Sequence, residues 1–273
     1  MLASLSVRRG PMVGWGPRTN RPHPSAVRSP QPAVLLLGVA GMVGSGKSTL
    51  ARALAARFGL QLALESVGDE NPWLEPYYAR GAGSQREYAL RLQLHFLATR
   101  FASMRQIRGQ GGSWILDRTW YEDAEVFARG LYEQELMSAL DYDLYCRLYG
   151  ELLHLPAARP PRLLVYLHGP LETILARIEA RGRPKERETD RAYWAALHAR
   201  YQRWIDTFRR CPVLALDVRD YDLFADGSAV DEIAALVRER VEPGLPQTEL
   251  FPGVPERERA ERDEKRGARG GRR

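Results

Sequence analysis

The chain is poor in cysteine, in lysine and in long apolar runs, and each shortage removes a class of protein. Two cysteines in 273 residues, Cys146 and Cys211, stand alone with no Cys-x-x-Cys spacing. They can build neither a disulfide framework nor a zinc knuckle, and a reducing compartment is expected. The five histidines are scattered without metal-ligand spacing. The longest apolar stretch, residues 33–40, is interrupted by Gly38 and falls far short of the ~20 residues that cross a bilayer. No membrane span is therefore expected. Lysine is almost absent, three against 37 arginines, a compositional bias rather than a function.

The formal charge of +6 sits at the ends. Residues 1–32 hold five arginines and no acid, residues 243–273 hold eight basic and six acidic groups, and 27 basic and 28 acidic groups remain between them. A near-neutral body without a reading motif argues against binding a nucleic-acid polymer. The proline-rich head lacks a sustained apolar period, and its prolines spoil the amphipathic helix of a mitochondrial presequence that its arginines suggest. The tail is charged and proline-punctuated. Both read as unpacked extensions around one domain spanning 33–242. A hydrophobic fraction of 44% is too high for a wholly disordered chain.

Inside that domain, short buried-looking runs alternate with helical ones, the pattern of a parallel sheet covered by helices in an α/β fold. Five strands are predicted at 34–39, 61–65, 113–116, 162–168 and 213–217. Helices are predicted at 48–58, 86–108, 121–131, 133–155, 171–180, 190–209 and 229–241.

Gly41, Met42, Val43, Gly44, Ser45, Gly46, Lys47 and Ser48 match Gly-x-x-x-x-Gly-Lys-Ser/Thr between the first strand and the first helix, with Thr49 following. The glycines let backbone N–H groups face a phosphate, the helix N-terminus adds positive charge, and Lys47 supplies a mobile one. Ser48 would ligate Mg²⁺. ATP or GTP binding follows, and the lack of an Asn-Lys-x-Asp sequence weakens the guanine branch. Two carboxylates close later strands, where ligands of open α/β sheets collect: Glu65 after the second and Asp117, followed by Arg118, after the third. Phosphoryl transfer needs a base, a metal-proximal carboxylate and a cation. On spacing alone Glu65 serves equally as a helix cap, and Asp117–Arg118 as a buried ion pair.

On the helix at 86–108, Leu90, Leu97 and Met104 form an apolar stripe, and Gln93 and Arg100, also seven apart, project from one face. Asp123 and Phe127 are i and i+4 on the next helix, offering an acceptor and an aromatic face together. On spacing alone, a solvated polar edge on ordinary amphipathic helices is the commoner explanation of these positions.

The motifs, in this order, resemble the deoxynucleoside kinase family: the phosphate loop, Glu65 in LESVGDENPWLEPYY, QLHFLATR, DRTWYEDAEVF and RIEARGRPKERE, over about 34–241. The Asp-Arg form at 117–118 is similar to bacterial members. The resemblance implies a P-loop kinase fold with a five-stranded parallel sheet and an arginine-rich lid. It implies transfer of phosphate from ATP, with Mg²⁺, to the 5′-hydroxyl of a deoxynucleoside in nucleotide salvage, in a cytoplasmic homodimer. Glu65 becomes the general base, Arg118 its orienter, and Asp117 a Mg²⁺ ligand. Gln93, Arg100 and Asp123 would bond the base, Phe127 would pack on it, and Tyr78 and Glu186 would hold the sugar 3′-hydroxyl. Arg177, Arg181 and Arg183 would be lid residues. Thymidine-preferring members replace the Arg and Asp of the base site, whereas purine and deoxycytidine kinases keep them; retention of Arg100 and Asp123, with the bacterial form of the motifs, implies a purine first, deoxyguanosine or deoxyadenosine, with deoxycytidine left open. The helix at 133–155 is the candidate dimer surface. A thymidylate-type monophosphate kinase and a non-catalytic P-loop assembly subunit are the competing readings.

Overall fold

In the computed structural model, which describes residues 35–64, 71–79, 82–223 and 227–241, the sheet is built around the most apolar strand. That strand, β1 (Leu36–Gly41), is buried along its whole length, as a central strand covered on both faces must be. It is flanked in parallel by β3 (Trp114–Asp117) and β4 (Leu163–His168), with Val39 level with Asp117 on one side and with Val165 on the other. The short β2 (Gln61–Ala63) and β5 (Val213–Asp217) complete the order β2-β3-β1-β4-β5. Because the chain leaves β1 toward one side and later returns to its other side, the switch point lies beside β1, and the carboxyl ends of β1, β3 and β4 frame a crevice there.

Alternate residues of β1 feed different cores. Leu37 and Val39 pack with α1 (Lys47–Phe58) and α10 (Ser228–Arg240) through Leu50, Leu54, Phe58, Ile233 and Val237. Leu36 and Ala40 face the other layer, where α3 (Ala82–Gln110) contributes Leu97 and Met104, and α9 (Arg191–Thr207) contributes Tyr201 and Trp204. The predicted Leu90–Leu97–Met104 stripe is thus a core stripe, with Leu90 half-buried at its end.

The α/β class, the five parallel strands and the order of the main elements agree with the sequence reading, while several boundaries are corrected. β1 and β3 start and end later than predicted, and β2 stops at Ala63. A short α2 (Leu74–Ala79) and α8 (Pro184–Arg187) were not anticipated. Both carry their proline within the first turn, where a missing N–H costs nothing. The helix predicted at 121–131 is present as one uninterrupted run with a wide middle: α4 (Trp120–Glu122), a π-helical stretch Asp123–Ala128, and α5 (Arg129–Glu133). The one predicted at 133–155 is corrected to α6 (Ala139–Leu153), entered through a turn with Glu135 at φ 56° and capped by Ser138, whose hydroxyl accepts from the Asp141 N–H. α7 (Leu171–Arg181) completes the set. The head, the tail and Glu65 lie outside the described residues.

Candidate active site

The turn from β1 into α1 has positive φ at Gly41 (142°), Gly44 (83°) and Gly46 (97°), conformations that side chains resist. Space forbids a side chain as well: a Cβ on Gly41 would lie 2.5 Å from the Leu167 carbonyl oxygen and 2.8 Å from Ser45 Oγ. Gly46 caps α1 without a side-chain hydrogen bond, and no acid occupies the first turn, so the helix end faces the loop with its partial positive charge uncancelled. Lys47, largely buried, donates to the Met42 carbonyl at 2.9 Å and is folded back along the loop. Ser45 Oγ is buried without a hydrogen-bond partner among the described residues. Arg177 of α7 reaches this loop, donating to the Val218 carbonyl at 2.8 Å and approaching the Ser45 carbonyl at 3.5 Å.

Next to the loop, β3 delivers Asp117 and Arg118, both buried. Asp117 Oδ1 has no hydrogen-bond partner among the described residues, an expensive state for a carboxylate oxygen unless a donor or cation completes it. Arg118 has φ 75°, a left-handed conformation that costs about 1–2 kcal/mol for a side-chain-bearing residue. Its Nη1 donates to the Tyr201 hydroxyl at 2.6 Å, and its guanidinium lies 4.7 Å from the centroid of the Phe127 ring.

Behind Arg118 stands a residue the sequence reading passed over. Glu122 is completely buried; its Oε2 accepts from the Thr119 N–H at 2.9 Å, and its Oε1 from the Tyr201 hydroxyl at 3.0 Å and the Gly41 N–H at 3.3 Å. Burial pushes its carboxyl above the ordinary range, opposed first by the charges of Arg118 and Lys47 and then by hydrogen bonds from Thr119 and Tyr201. The Thr119-x-x-Glu122 spacing is a capping box visible in the sequence. Its contact with the phosphate loop 81 residues away is not.

Farther along the crevice, Arg100 of α3 meets Asp123 in a two-point ion pair, Nε to Oδ2 at 2.9 Å and Nη2 to Oδ1 at 3.3 Å, with only 13% and 6% of the two side chains exposed. Gln93 is buried and its Oε1 lacks a hydrogen-bond partner among the described residues. Arg100 lines a cleft with Ala63, Leu64, Phe96, Thr99 and Met104, at the end of β2. Asp123 and Phe127 lie on the π-helical stretch, where the Arg129 N–H bonds back to the Ala124 carbonyl. One wide turn of this kind, often found at functional sites, aims one residue at Arg100 and the other at Arg118.

The remaining predicted residues are placed with less convergence. Tyr78 is 58% exposed with its ring edge-on to Tyr77, which packs in the core between α2 and α3. Glu186 is held by two hydrogen bonds from Arg181, at 2.6 and 3.1 Å, and lies 3.7 Å from Arg183. α7 presses on the phosphate loop so closely that a Cβ on Gly44 would meet Ile178 at 2.5 Å.

A family model described as deoxynucleoside kinase matches residues 37–242. A deoxyadenosine/deoxycytidine kinase of Bacillus subtilis is 42% identical over 75% of this chain and 94% of its own. A deoxyguanosine kinase of Lactobacillus acidophilus is 33% identical over 68% of this chain and 82% of its own. In fold, the chain is similar to a solved deoxyadenosine kinase from M. mycoides with dCMP and dCDP bound, with a TM-score of 0.63 at 23% identity over 75% of this chain and all of that one. With the family model covering most of its length and a relative aligned almost end to end, the chain belongs to the deoxynucleoside kinase family.

Proposed function

We propose that this deoxynucleoside kinase transfers the γ-phosphoryl group of ATP to the 5′-hydroxyl of a purine deoxynucleoside, deoxyguanosine or deoxyadenosine. The observation that carries the reading is the Arg100–Asp123 pair, largely buried, with the buried Gln93 two turns earlier on α3. Together they offer donors and acceptors to one edge of a flat heterocycle, as a purine with adjacent ring and exocyclic nitrogens or oxygens requires. The names of the relatives support the substrate class, since they include deoxyadenosine, deoxycytidine and deoxyguanosine kinases.

In this reading the loop N–H groups and Lys47 bind the β- and γ-phosphates of ATP, and Lys47 exchanges its bond with the Met42 carbonyl for a phosphate oxygen. The unsatisfied Asp117 Oδ1 and the Ser48 hydroxyl are hard oxygen donors that suit Mg²⁺. That ion, when bound, neutralises charge building on the phosphoryl oxygens. Glu65 accepts the proton of the 5′-hydroxyl as its oxygen attacks the γ-phosphorus, ADP departs, and Arg118 holds the attacking oxygen. Arg177, Arg181 and Arg183 close on the phosphates. Tyr78 and Glu186 bind the 3′-hydroxyl, Glu186 sharing its two oxygens between Arg181 and the sugar. Phe127 packs between the base and Arg118.

A second copy of the chain is the proposed cover for α6, where Leu140, Leu144 and Leu148 are 84%, 55% and 42% exposed along one face. No helix among the described residues is long and apolar enough to cross a membrane. The two free thiols and the need for ATP suit the cytoplasm.

Ranking kcat/KM for deoxyguanosine, deoxyadenosine, deoxycytidine and thymidine tests the reading. A purine at the top is expected; a top-ranked deoxycytidine overturns the purine assignment, and a top-ranked thymidine overturns the base-site reading with it. Glu65→Gln is expected to lose about 10²-fold in turnover with nucleoside binding retained; unchanged turnover removes Glu65 from its role.

A further inference from the structure

We propose that Glu122 is a positioning residue of the phosphoryl-transfer step, a buried strut that fixes Arg118 and the first glycine of the phosphate loop relative to one another. The inference rests on the reading of Arg118 as a residue that touches the reacting oxygen.

A capping box asks little of its glutamate: one oxygen on the N-cap N–H, commonly at the surface. Here that duty falls to Oε2, through the Thr119 N–H at 2.9 Å and the Thr119 hydroxyl at 3.4 Å. Yet the carboxylate is 0% exposed, and desolvating a charge merely to cap a helix is a poor exchange. Oε1 accounts for the burial. It crosses to the end of β1, where it accepts from the Gly41 N–H at 3.3 Å, and to α9, where it accepts from the Tyr201 hydroxyl at 3.0 Å. Tyr201 in turn accepts from Arg118 Nη1 at 2.6 Å, and that nitrogen lies 3.7 Å from Oε1 itself. One side chain therefore joins the ends of two neighbouring strands and the helix that follows the lid.

The arrangement answers two needs of the site. Arg118 leaves β3 in a left-handed conformation, so nothing in its local backbone preference holds the guanidinium in place. The Tyr201–Glu122 pair does so from one side, and the Phe127 ring from the other. Glu122 also sets the Gly41 peptide at the entrance of the loop, where its carboxyl lies in the field of Lys47, held for a phosphate, and of Arg118, held for the attacking oxygen. Glu122 faces no open crevice and acts only through Arg118 and Gly41.

The test is a kinetic double-mutant cycle in the full chain, with thermal unfolding as the control for folding. Glu122→Gln keeps the shape but replaces one acceptor oxygen by a donor facing donors. It is expected to lower kcat about 10–100-fold while KM for the deoxynucleoside stays within about threefold, the pattern of a displaced rather than a lost group. Combined with Arg118→Gln, it should add almost nothing to the loss from Arg118→Gln alone, because the two residues act as one unit. Tyr201→Phe, which deletes only the bridging hydroxyl, should lower kcat about 3–10-fold and decides the matter if Glu122→Gln fails to fold. A folded Glu122→Gln enzyme with wild-type kcat, losses that multiply independently in the cycle, or an unaffected Tyr201→Phe enzyme would overturn the proposal. Full activity in Arg118→Gln would overturn the reading of Arg118 on its own.

Discussion

Removing Asp123 alone should damage the protein more than removing Asp123 and Arg100 together. The two side chains are 6% and 13% exposed and are joined at two points, so Asp123→Ala takes this two-point carboxylate from a guanidinium in a nearly dry pocket. Breaking such a pair by removing one member costs about 3–5 kcal/mol. In a domain of this size each kcal/mol moves Tm by about 2–4 °C, so Asp123→Ala should lower Tm by about 10 °C. Arg100→Met with Asp123→Ala substitutes apolar volume for the pair and should recover most of that loss. The same double variant removes the charged edge offered to the base. Charged hydrogen bonds are worth about 1.5–3 kcal/mol, so the purine-over-thymidine ratio of kcat/KM should fall about 10–100-fold. Differential scanning calorimetry and the acceptor ranking read the two effects separately. An Asp123→Ala variant as stable as the wild type would refute the buried-pair argument. A double variant with the wild-type ranking would refute the base-site assignment.

Gly41→Ala must place a Cβ 2.5 Å from a backbone oxygen at φ 142°. It should cost about 1–3 kcal/mol in strain and abolish binding of a fluorescent ATP analogue; retained binding would contradict the loop assignment. Hydrogen bonds from Arg219 to Asp217 hold that carboxyl down at about 2. A depressed folded-state pKa means stability that is present above the ordinary aspartate range and lost as pH falls from about 4 toward 2. Because Arg219 is 59% exposed, screening limits the effect to about 1 kcal/mol. The stability gap between wild type and Asp217→Asn in urea should therefore narrow from pH 7 to pH 3, and a widening gap would refute it. Burial pushes the Cys211 thiol up to about 12, whereas Cys146 is exposed. A thiol reagent should modify one cysteine rapidly in the native protein and both in denaturant.

The phosphate loop was legible because its backbone can be built only with glycine at positions such as 41, 44 and 46, so the requirement is written in residue types. The stripe on α3 was legible because Leu97 and Met104 repeat at a helical period and are buried. The division of residues 120–133 into α, π and α segments had no such signature, since an i→i+5 bond at Ala124 asks for no particular side chain. The turn before α6 hid for a related reason. Its left-handed residue is Glu135, with no glycine or proline between Gln134 and Ser138 to mark it. In the site, the residues proposed to meet substrate have types suited to phosphate or a base and could be nominated from the chain. Glu122 and Tyr201 meet one another across 79 residues of sequence, and only the packing of α9 against the strand ends brings them together.

The account turns on the acceptor. Transfer of radiolabelled γ-phosphate from ATP should be measured with deoxyguanosine and deoxyadenosine and, separately, with their 5′-monophosphates. The account predicts label in the monophosphate products of the nucleosides and none in diphosphates. Labelled diphosphates from monophosphate acceptors, with the nucleosides inert, would contradict it.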